Sequence, residues 1–408
     1  MIENSGRTVT VLLTCEGEPL GTVGPFAVET PRWHDAAPVV AHLESVLGTS
    51  TVVLRLLDVD GGADGMHGHT TYHAEALVRP RRTDALRTDP DAPWAALSPH
   101  AKRADWATPT GVREALDWAD GELRAAGRPP VGPVRQVKTW NLAGLFRIPT
   151  AAGPAWLKTG PRFALCESTA IALFASVDRP FVPTVLAADP ARRRVLLDHV
   201  PGEDCWGPSA AVVATAVPRL ARAQAALARR HPGAPDGLPD HSPRRLIERV
   251  QHLLNGPVAA ELTADELSRA HRAAERLPAL VADLESCGLP NTVLHGDFHP
   301  GNWRSDGQHT AMVDFADSYF GHPAVDGLRP RPFTSAERWA QAADVWTATW
   351  RELVPGSDPA RALILAAPLV HLGYAVRYQE FLDGIEPSEQ RYHAGDPAAE
   401  IRAALAGG

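Results

Sequence analysis

The sequence predicts an α+β fold with two lobes and an additional small N-terminal α+β domain. Short apolar strand patterns dominate residues 134–198, and long helical patterns dominate the chain after Pro201. A strand-rich half followed by a helix-rich half favours two lobes with a cleft between them. The predicted domains are residues 1–100, a strand-rich N-lobe over residues 106–200 and a helical C-lobe over residues 201–408.

The composition narrows the classes of function. The 408 residues are 44% hydrophobic and 22% charged, which is ordinary for a soluble globular protein. A formal net charge of −8 argues against nucleic acid or an anionic membrane as the partner. The sequence has no charged leader before an apolar run and no uninterrupted run of 18 apolar residues. Four widely spaced cysteines without a CxxC pair favour reduced thiols, so we expect a cytoplasmic protein. The oligomeric state is not determined by these features.

The first hundred residues predict three strands and one helix. Apolar strand patterns cover residues 8–14, 52–57 and 70–77, and residues 34–47 carry apolar side chains at helical spacing. Four of the six histidines in this part could suggest a metal, but none has the spacing to cysteine or aspartate that metal ligands show. We interpret them as surface or loop residues rather than as a metal site; they are His34, His67, His69 and His73.

Beyond the first hundred residues, strands come first and helices follow. Thr108 is the predicted cap of a helix that has Pro109 in its first turn. Strand patterns then cover residues 147–148, 155–158 and 194–198, with a helix over residues 165–176 among them. Later helices are predicted over residues 209–230, 244–254, 263–286, 334–353 and 360–382, the last broken or kinked at Pro368.

The segment LHGDFHPGN, which ends at Asn302, carries the strongest chemical signal. Asp297 and Asn302 are five residues apart, which is the spacing of the catalytic loop of kinases. Phosphoryl transfer needs an aspartate that orients and deprotonates the attacking hydroxyl, and it needs oxygen ligands for Mg²⁺. Asn302 offers a neutral oxygen, and Asp314, twelve residues later at a predicted strand end, offers an anionic one. Zinc ligation by His295, Asp297 and His299 is the alternative, but it leaves Asn302 and Asp314 without a role.

A lysine in the strand-rich part matches the same chemistry. Only three of the 40 basic residues are lysine, and Lys158 ends the strand pattern Ala-Trp-Leu-Lys. A kinase-like fold places a lysine on a strand against the α- and β-phosphates, together with a helix glutamate. Glu167, nine residues later, begins the next predicted helix. A strand-end surface lysine and a glutamate placed by local helix electrostatics are the alternatives.

The segment HGDFHPGN, followed by VDFADSYFGHPAVD, resembles the aminoglycoside phosphotransferase family. This choline-kinase-like family is the small-molecule branch of the protein-kinase-like fold, and it combines an H-G-D-x-x-x-x-N loop, a V-D-F strand and a G-x-P-x-x-D segment. The resemblance implies ATP and Mg²⁺ as cofactors, Asp297 as the catalytic base, and Asn302 and Asp314 as metal ligands. It further implies supporting roles for His295, for Asp317 in the metal or substrate shell, and for Asp326 as a brace of the catalytic loop.

The sequence also predicts a phosphate-binding loop and a hinge for the nucleotide, and the loop departs from the kinase pattern. The chain contains no G-x-G-x-x-G, so the loop from Asn141 to Leu145 is the candidate cover of the phosphates through backbone N–H groups. The segment from Asp198 to Val200 resembles the hinge of the family, whose backbone faces adenine.

The helical half is expected to bind the phosphoryl acceptor. Aminoglycoside-like antibiotics, amino alcohols and sugars all occur as acceptors in the family, and the sequence does not choose among them. A catalytically silent nucleotide-binding regulatory module of the same fold is the alternative function. Tyr374 and Tyr378, with Leu363, Val370 and Phe381, also fit an ordinary helix core face, which is the alternative. The candidate acceptor residues are Trp206, His371, Tyr374, Tyr378, Glu380 and Asp383.

Overall fold

The computed structural model describes residues 6–89 and 91–407, and the chain divides into two compact units. The first unit runs to Ala164 and adds Val185–His199 and Leu382–Ala394. The second unit contains Leu165–Thr184, Val200–Phe381 and the chain from Gly395 onward. The mixed α and β content that the sequence predicts is confirmed, with most strands in the first unit and most helices in the second.

The first unit opens with a four-stranded sheet in the order β2-β1-β4-β3. β1 pairs with β4 in parallel, and the two outer pairs are antiparallel. One helix packs its apolar residues, including Val39 and Leu43, into the core of this sheet. The elements are β1 Arg7–Cys15, β2 Glu18–Val28, α1 Ala37–Leu47, β3 Thr51–Asp60 and β4 His69–Ala76.

A second sheet of the first unit has five antiparallel strands in the order β5-β6-β7-β9-β8. A helix begins at Pro109, where the Thr108 side chain accepts a hydrogen bond from the backbone N–H of Gly111. The elements are α2 Pro109–Ala125, β5 Arg135–Trp140, β6 Ala143–Ile148, β7 Ala155–Thr159, β8 Val185–Asp189 and β9 Arg194–Asp198.

The two sheets of the first unit share a hydrophobic core and direct hydrogen bonds. Val52 and Leu54 of β3 belong to the same buried cluster as α2, β6, β7 and β9. The buried Gln136 of β5 accepts from the backbone N–H of Val53 at 2.8 Å and donates to its carbonyl at 2.7 Å. Farther along β5, the N–H of Thr139 donates to the carbonyl of His34 at 3.0 Å. The separate domains predicted for residues 1–100 and 106–200 stay a prediction: most of both ranges lies in one compact unit, whereas Leu165–Thr184 and Val200 lie in the other.

A C-terminal segment, Leu382–Ala394, also belongs to the first unit. The carboxylate of Glu389 accepts from the backbone N–H of Leu56 at 3.1 Å. The carboxylate of Glu386 pairs with the guanidinium groups of Arg55 at 3.4 Å and Arg103 at 2.9 Å. The core of the first unit is therefore completed by residues more than 300 positions away in sequence.

The second unit is mainly helical and contains two small sheets. Its strands pair in the orders β10-β12-β13 and β11-β14. The helices are α3 Glu167–Ala175, α4 Ala210–Arg230, α5 Pro243–Leu254, α6 Ala264–Glu285, α7 Ala324–Leu328, α8 Ala336–Leu353, α9 Pro359–Gly384 and α10 Asp396–Ala406. The strands are β10 Glu203–Asp204, β11 Thr292–Leu294, β12 Trp303–Ser305, β13 Thr310–Met312 and β14 Tyr319–Gly321.

Three expectations from the sequence need correction. Strand β2 was not predicted, because its two glycines and two prolines weaken the strand pattern, and such residues are tolerated at a sheet edge. The surface or loop interpretation is wrong for His73, which is buried in the inner strand β4 with Nε2 2.8 Å from Oγ1 of Thr14. Helix α9 is continuous through Pro368, so the predicted break is absent, whereas the predicted kink stays a prediction.

Within the described part of the chain, one helix has the length and apolar composition of a membrane span. This is α9, and half of its most apolar window is buried inside the protein. Such burial equally fits a core helix of a soluble protein.

Candidate active site

The candidate site is built on the loop between β11 and β12, in the second unit. Gly296 has φ +83°, and a Cβ at this position would overlap the carbonyl oxygen of Asp317. A residue with a side chain would therefore be strained by its backbone and by the neighbouring chain. The turn that precedes Asp297 consequently needs glycine, which explains why the loop reads His-Gly-Asp.

A buried carboxylate holds the start of this loop. Asp326 accepts from the backbone N–H groups of His295 at 2.7 Å and Gly296 at 2.9 Å, and from Nε2 of Gln224 at 2.7 Å. Burial raises the pKa of Asp326 to about 7, against the pull of these three donors. The carboxylate therefore fixes the backbone on the N-terminal side of Asp297.

The ring of His295 is held from both sides. Nε2 donates to the carbonyl of Val313 at 3.0 Å, and Nδ1 accepts from the backbone N–H of Asp297 at 3.3 Å. Burial lowers the pKa of His295 to about 4, so the ring is neutral at pH 7. With both ring nitrogens in hydrogen bonds, His295 joins the catalytic loop to the strand end near Asp314 and is not arranged as a zinc ligand.

The two carboxylate oxygens of Asp297 have different partners. Oδ1 accepts from Nε of Arg329 at 2.8 Å and lies 2.7 Å from its Nη2. Oδ2 accepts from Nδ2 of Asn302 at 3.0 Å and lies 3.3 Å from Nε2 of His299. Nδ1 of His299 accepts from the N–H of Gly301 at 3.0 Å, so Nε2 carries the proton.

These partners set the ionisation of Asp297. Burial alone would raise its pKa, but the hydrogen bond from His299 and the charge of Arg329 outweigh it and hold the pKa well below the ordinary value. The side chain is 23% exposed, so the ionised carboxylate remains accessible.

Asn302 and Asp314 offer oxygen atoms in neighbouring positions. Nδ2 of Asn302 donates to the carboxylate and the carbonyl of Asp297, which turns Oδ1 of Asn302 away from them. Within residues 6–89 and 91–407, no donor bonds to this Oδ1. The N–H of Val313 donates to the carbonyl of Asn302 at 2.9 Å. Asp314, which is the next residue after Val313, is exposed and has φ +66°. An amide oxygen and a carboxylate fit Mg²⁺, which prefers oxygen ligands and keeps water or phosphate oxygens in its other positions.

No group of three or more histidine, cysteine, aspartate or glutamate side chains in the described residues could hold a metal ion by itself. Asn302 is an asparagine and is therefore not one of these four residue types. The set of oxygen donors is therefore incomplete without the substrate or water, as is usual for Mg²⁺.

Two further carboxylates border Asp314 and Asp297. Oε2 of the buried Glu167, the first residue of α3, accepts from the N–H of Phe315 at 3.0 Å. Asp317 accepts from Nη2 of Arg377 at 3.1 Å, and burial raises its pKa. Glu167 is thus joined to the segment after Asp314, and Asp317 is neutralised by an arginine of α9.

Aromatic side chains surround Arg329 and the catalytic loop. The guanidinium carbon of Arg329 lies 4.7 Å from the ring centre of Phe333 and 4.9 Å from that of Tyr374. The ring of His299 stacks on Phe333 at 4.4 Å, and that of Trp206, which is 52% exposed, lies 5.3 Å from His299. We call Trp206, His299, Phe333 and Tyr374 the aromatic rim.

The sequence did not predict that Arg329 and the aromatic rim belong to one site, although it gave Trp206 and Tyr374 as candidates for binding the acceptor. Arg329 is one of 37 arginines among 40 basic residues, so composition gives it no prominence. One signal was available: Arg329 follows Asp326 by three residues, which places both on one side of the short helix α7.

The other acceptor candidates of α9 have partners of their own. His371 contacts Glu400, with Nδ1 2.6 Å from the carboxylate. Glu380 pairs with Arg249 and lies 3.6 Å from Nη1 of Arg377. Asp383 lies beyond Phe381, in the part of α9 that belongs to the first unit.

The remaining candidates for nucleotide binding lie mostly in the first unit. Lys158 sits in the inner strand β7, opposite Leu145 and Val195. Asn141 is at the two-residue turn between β5 and β6, with its side chain 1% exposed.

The predicted hinge is engaged by two arginines. Asp198 ends β9, and its carboxylate accepts from Nη2 of Arg128 at 2.9 Å. Val200 belongs to the second unit, where its carbonyl accepts from Nε of Arg304 at 3.1 Å. The carbonyl of Val200 is therefore already used within the protein.

Comparisons with solved structures show a kinase-like fold. The choline kinase from Cryptosporidium parvum Iowa II superposes with a TM-score of 0.50 at 10% identity, over 71% of this chain and 95% of that chain. A choline/ethanolamine kinase family protein from Mesorhizobium loti gives a TM-score of 0.47 at 18% identity, over 72% of this chain and 98% of that chain. The macrolide 2′-phosphotransferase MphH from Brachybacterium faecium gives 0.48 at 19% identity, over 69% and 98%.

The family is indicated by sequence as well. No curated protein matches the chain. Residues 164–352 match the model of the APH family, described as a phosphotransferase enzyme family. The matched segment contains the whole His295–Asn302 loop together with Glu167, Asp314 and Asp326. The resemblance to the aminoglycoside phosphotransferase family that the motifs indicated is therefore confirmed over residues 164–352.

Proposed function

We propose that this protein transfers the γ-phosphoryl group of ATP to a hydroxyl of a small molecule, in a reaction that depends on Mg²⁺. The acceptor classes considered are aminoglycoside-like antibiotics, amino alcohols and sugars. The observation that carries the proposal is the geometry of Asp297 and Asn302. One amide group of Asn302 orients the carboxylate of Asp297 and at the same time leaves Oδ1 without a hydrogen bond among the described residues.

In this proposal Asp297 is the catalytic base, which accepts the proton of the attacking hydroxyl. Its low pKa keeps it ionised, so its main contribution is to orient the hydroxyl and to take the proton late in the transfer. Asn302 and Asp314 would hold Mg²⁺, which when bound neutralises charge on the phosphate oxygens. His295, Asp317 and Asp326 support this loop.

For the binding of ATP, the proposal follows the residues that the sequence predicts. Lys158 would contact phosphate oxygens, and the backbone N–H groups from Asn141 onward would face them. The backbone between Asp198 and Val200 would face adenine, through groups other than the Val200 carbonyl. Glu167 would support the phosphate-binding part of the site. A cytoplasmic location remains a prediction from the sequence.

The test is conversion of ATP to ADP with a panel of hydroxyl compounds, with and without Mg²⁺. We expect Asp297→Asn to lower turnover by roughly 10²- to 10⁴-fold, because it removes the proton acceptor and preserves the shape of the side chain. Asp344→Asn, a change of the same type on the exposed face of α8, is the matched control and should leave turnover unchanged. Circular dichroism checks that both variants are folded.

The same assay distinguishes a phosphotransferase from a catalytically silent regulatory module that only binds the nucleotide. Mg²⁺-dependent binding of ATP without turnover over the whole panel would reject the phosphotransferase proposal in favour of that module. Equal turnover by Asp297→Asn and the unchanged protein would reject Asp297 as the base.

A further inference from the structure

Several carboxylates near Asp297 contact arginines. Arg329 binds Asp297 at 2.7 Å, Arg377 binds Asp317 at 3.1 Å, and Arg249 binds Glu380. Three carboxylates in this part of the second unit are thus in contact with arginines, and Arg377 is shared between Asp317 and Glu380. A polycationic acceptor such as an aminoglycoside would have to displace arginines from these carboxylates before its own ammonium groups could bind there.

Arg329 lies on the side of Asp297 that faces away from the candidate metal ligand. Asn302 bonds to Oδ2 of Asp297, whereas Arg329 bonds to Oδ1. The rings that contact Arg329 are those of Phe333 and of Tyr374 in α9, well after the His295–Asn302 loop in sequence. An acceptor that approaches Asp297 opposite Asn302 therefore meets the guanidinium of Arg329.

One end of this guanidinium remains available. Nε and Nη2 are used by Asp297, and no group of the described residues accepts a hydrogen bond from Nη1. The side chain is 18% exposed, and the two rings fix its plane. A rigid guanidinium with a free N–H edge is a suitable binding group for a carboxylate or a phosphate.

The aromatic rim adds a flat surface beside this cation. Trp206 is half exposed and reaches His299 and Phe333, at 5.3 and 6.1 Å between ring centres. A Cβ at Gly301 would overlap the ring of Trp206, so the indole lies directly on the catalytic loop. Sugar rings pack well against such exposed aromatic faces.

From these observations we propose that the acceptor is an anionic hydroxyl compound, a sugar acid or sugar phosphate, whose charged group binds Nη1 of Arg329. This inference rests on the proposed function and names the substrate class of that same site. Arg329 is then a specificity-determining residue: it binds the anionic group while Asp297 holds the reacting hydroxyl. The rival role for Arg329 is contact with the transferring phosphoryl group, which would affect every acceptor alike.

The experiment compares three ring compounds of different charge, namely glucuronate, glucose and glucosamine. Binding of each to the full chain is measured by calorimetry at pH 6.5 with the unchanged protein, Arg329→Gln and Arg329→Lys. The matched control is Arg331→Gln, an exposed arginine two residues away. We expect glucuronate to bind most tightly to the unchanged protein. Arg329→Gln should weaken glucuronate by roughly 10- to 100-fold and glucose by less than about 3-fold.

Further outcomes decide between the roles of Arg329. Arg329→Lys should recover part of the preference for glucuronate, because it keeps the charge, whereas Arg331→Gln should not change it. An equal loss for all three sugars, a preference of the unchanged protein for glucosamine, or no binding of any of the three would overturn the inference.

Binding and transfer are measured separately, so the two proposals can fail independently. Arg329-dependent binding of glucuronate without consumption of ATP would reject the phosphotransferase proposal and keep the ligand class. Efficient phosphorylation of amine-bearing acceptors by the unchanged protein would keep the phosphotransferase and reject the ligand class.

Discussion

Arg329 donates from Nε to Oδ1 of Asp297 at 2.8 Å, and its Nη2 lies 2.7 Å from the same oxygen. The other oxygen is held by Asn302, so the carboxylate cannot rotate without breaking bonds on both sides. The plane of Arg329 is fixed in turn by two aromatic rings. The proposed base is therefore preorganised by a cation, and this arrangement has consequences that can be measured.

The first prediction concerns the pH dependence of activity. Arg329→Gln removes the positive charge beside Asp297, so the ionised carboxylate loses stabilisation and its pKa should rise toward the ordinary range. The acid limb of the pH profile of kcat/KM should move to higher pH by the same amount. Arg331→Gln is the control and should leave the limb in place. An unchanged acid limb in Arg329→Gln would show that Arg329 does not set the ionisation of Asp297.

The second prediction concerns the glycine before Asp297. Gly296→Ala should destabilise the protein by about 1–3 kcal/mol and strongly reduce turnover, because φ is +83° and the added Cβ overlaps the carbonyl of Asp317. Gly307→Ala is a matched control, since Gly307 has φ +89° and nothing within 4 Å of the added Cβ. The difference between the two variants in urea unfolding and in turnover isolates the overlap. Equal effects would mean that only the backbone conformation matters.

The third prediction concerns the joint between the two sheets of the first unit. Gln136→Leu leaves the buried N–H and carbonyl of Val53 without their side-chain partner. Each unsatisfied buried group costs about 1–3 kcal/mol, so urea unfolding should show a loss of a few kcal/mol. Gln251→Leu, on the exposed face of α5, should change the free energy of unfolding by less than about 0.5 kcal/mol. A small effect of Gln136→Leu would indicate that the two sheets are stable independently.

The fourth prediction concerns the C-terminal segment in the first unit. Burial raises the pKa of Glu389 from 4.5 to about 8. Between these values the folded chain keeps a proton that the unfolded chain releases, so this residue makes stability fall as the pH rises. The slope is about 1.4 kcal/mol per pH unit for a fully coupled group.

Glu389→Gln keeps the acceptor for the N–H of Leu56 and removes the titration. Its stability relative to the unchanged protein should therefore increase from pH 5 to pH 8, as measured by urea unfolding at several pH values. Glu337→Gln, whose side chain is 81% exposed, should show no such trend. If the free energy of unfolding of Glu389→Gln differed from that of the unchanged protein by the same amount at every pH, Glu389 would not be a buried, protonated carboxyl.

Much of the fold could be predicted from local patterns. Helices α4, α5, α6 and α8 were predicted within a residue or two, because each has an apolar face and a recognisable start, such as Ser209 before α4 and Thr263 before α6. The edge strand β2 was not, because glycine and proline hide its pattern. Nor did any local pattern indicate that Leu382–Ala394 would complete the core of the first unit.

The sequence by itself indicated the resemblance to the aminoglycoside phosphotransferase family and the side chains that the His295–Asn302 loop can present. The spacing of Asp297 and Asn302, the later Asp314 and the glycine between His295 and Asp297 are all local, and local spacing fixes which groups one loop can present. Tertiary structure alone decided the charge beside Asp297 and the aromatic rim. Arg329, Phe333 and Tyr374 reach the loop from elements 30 or more residues away, and nothing in the sequence distinguishes this arginine from the others. Contacts of that kind depend on how helices pack, which a linear pattern does not contain.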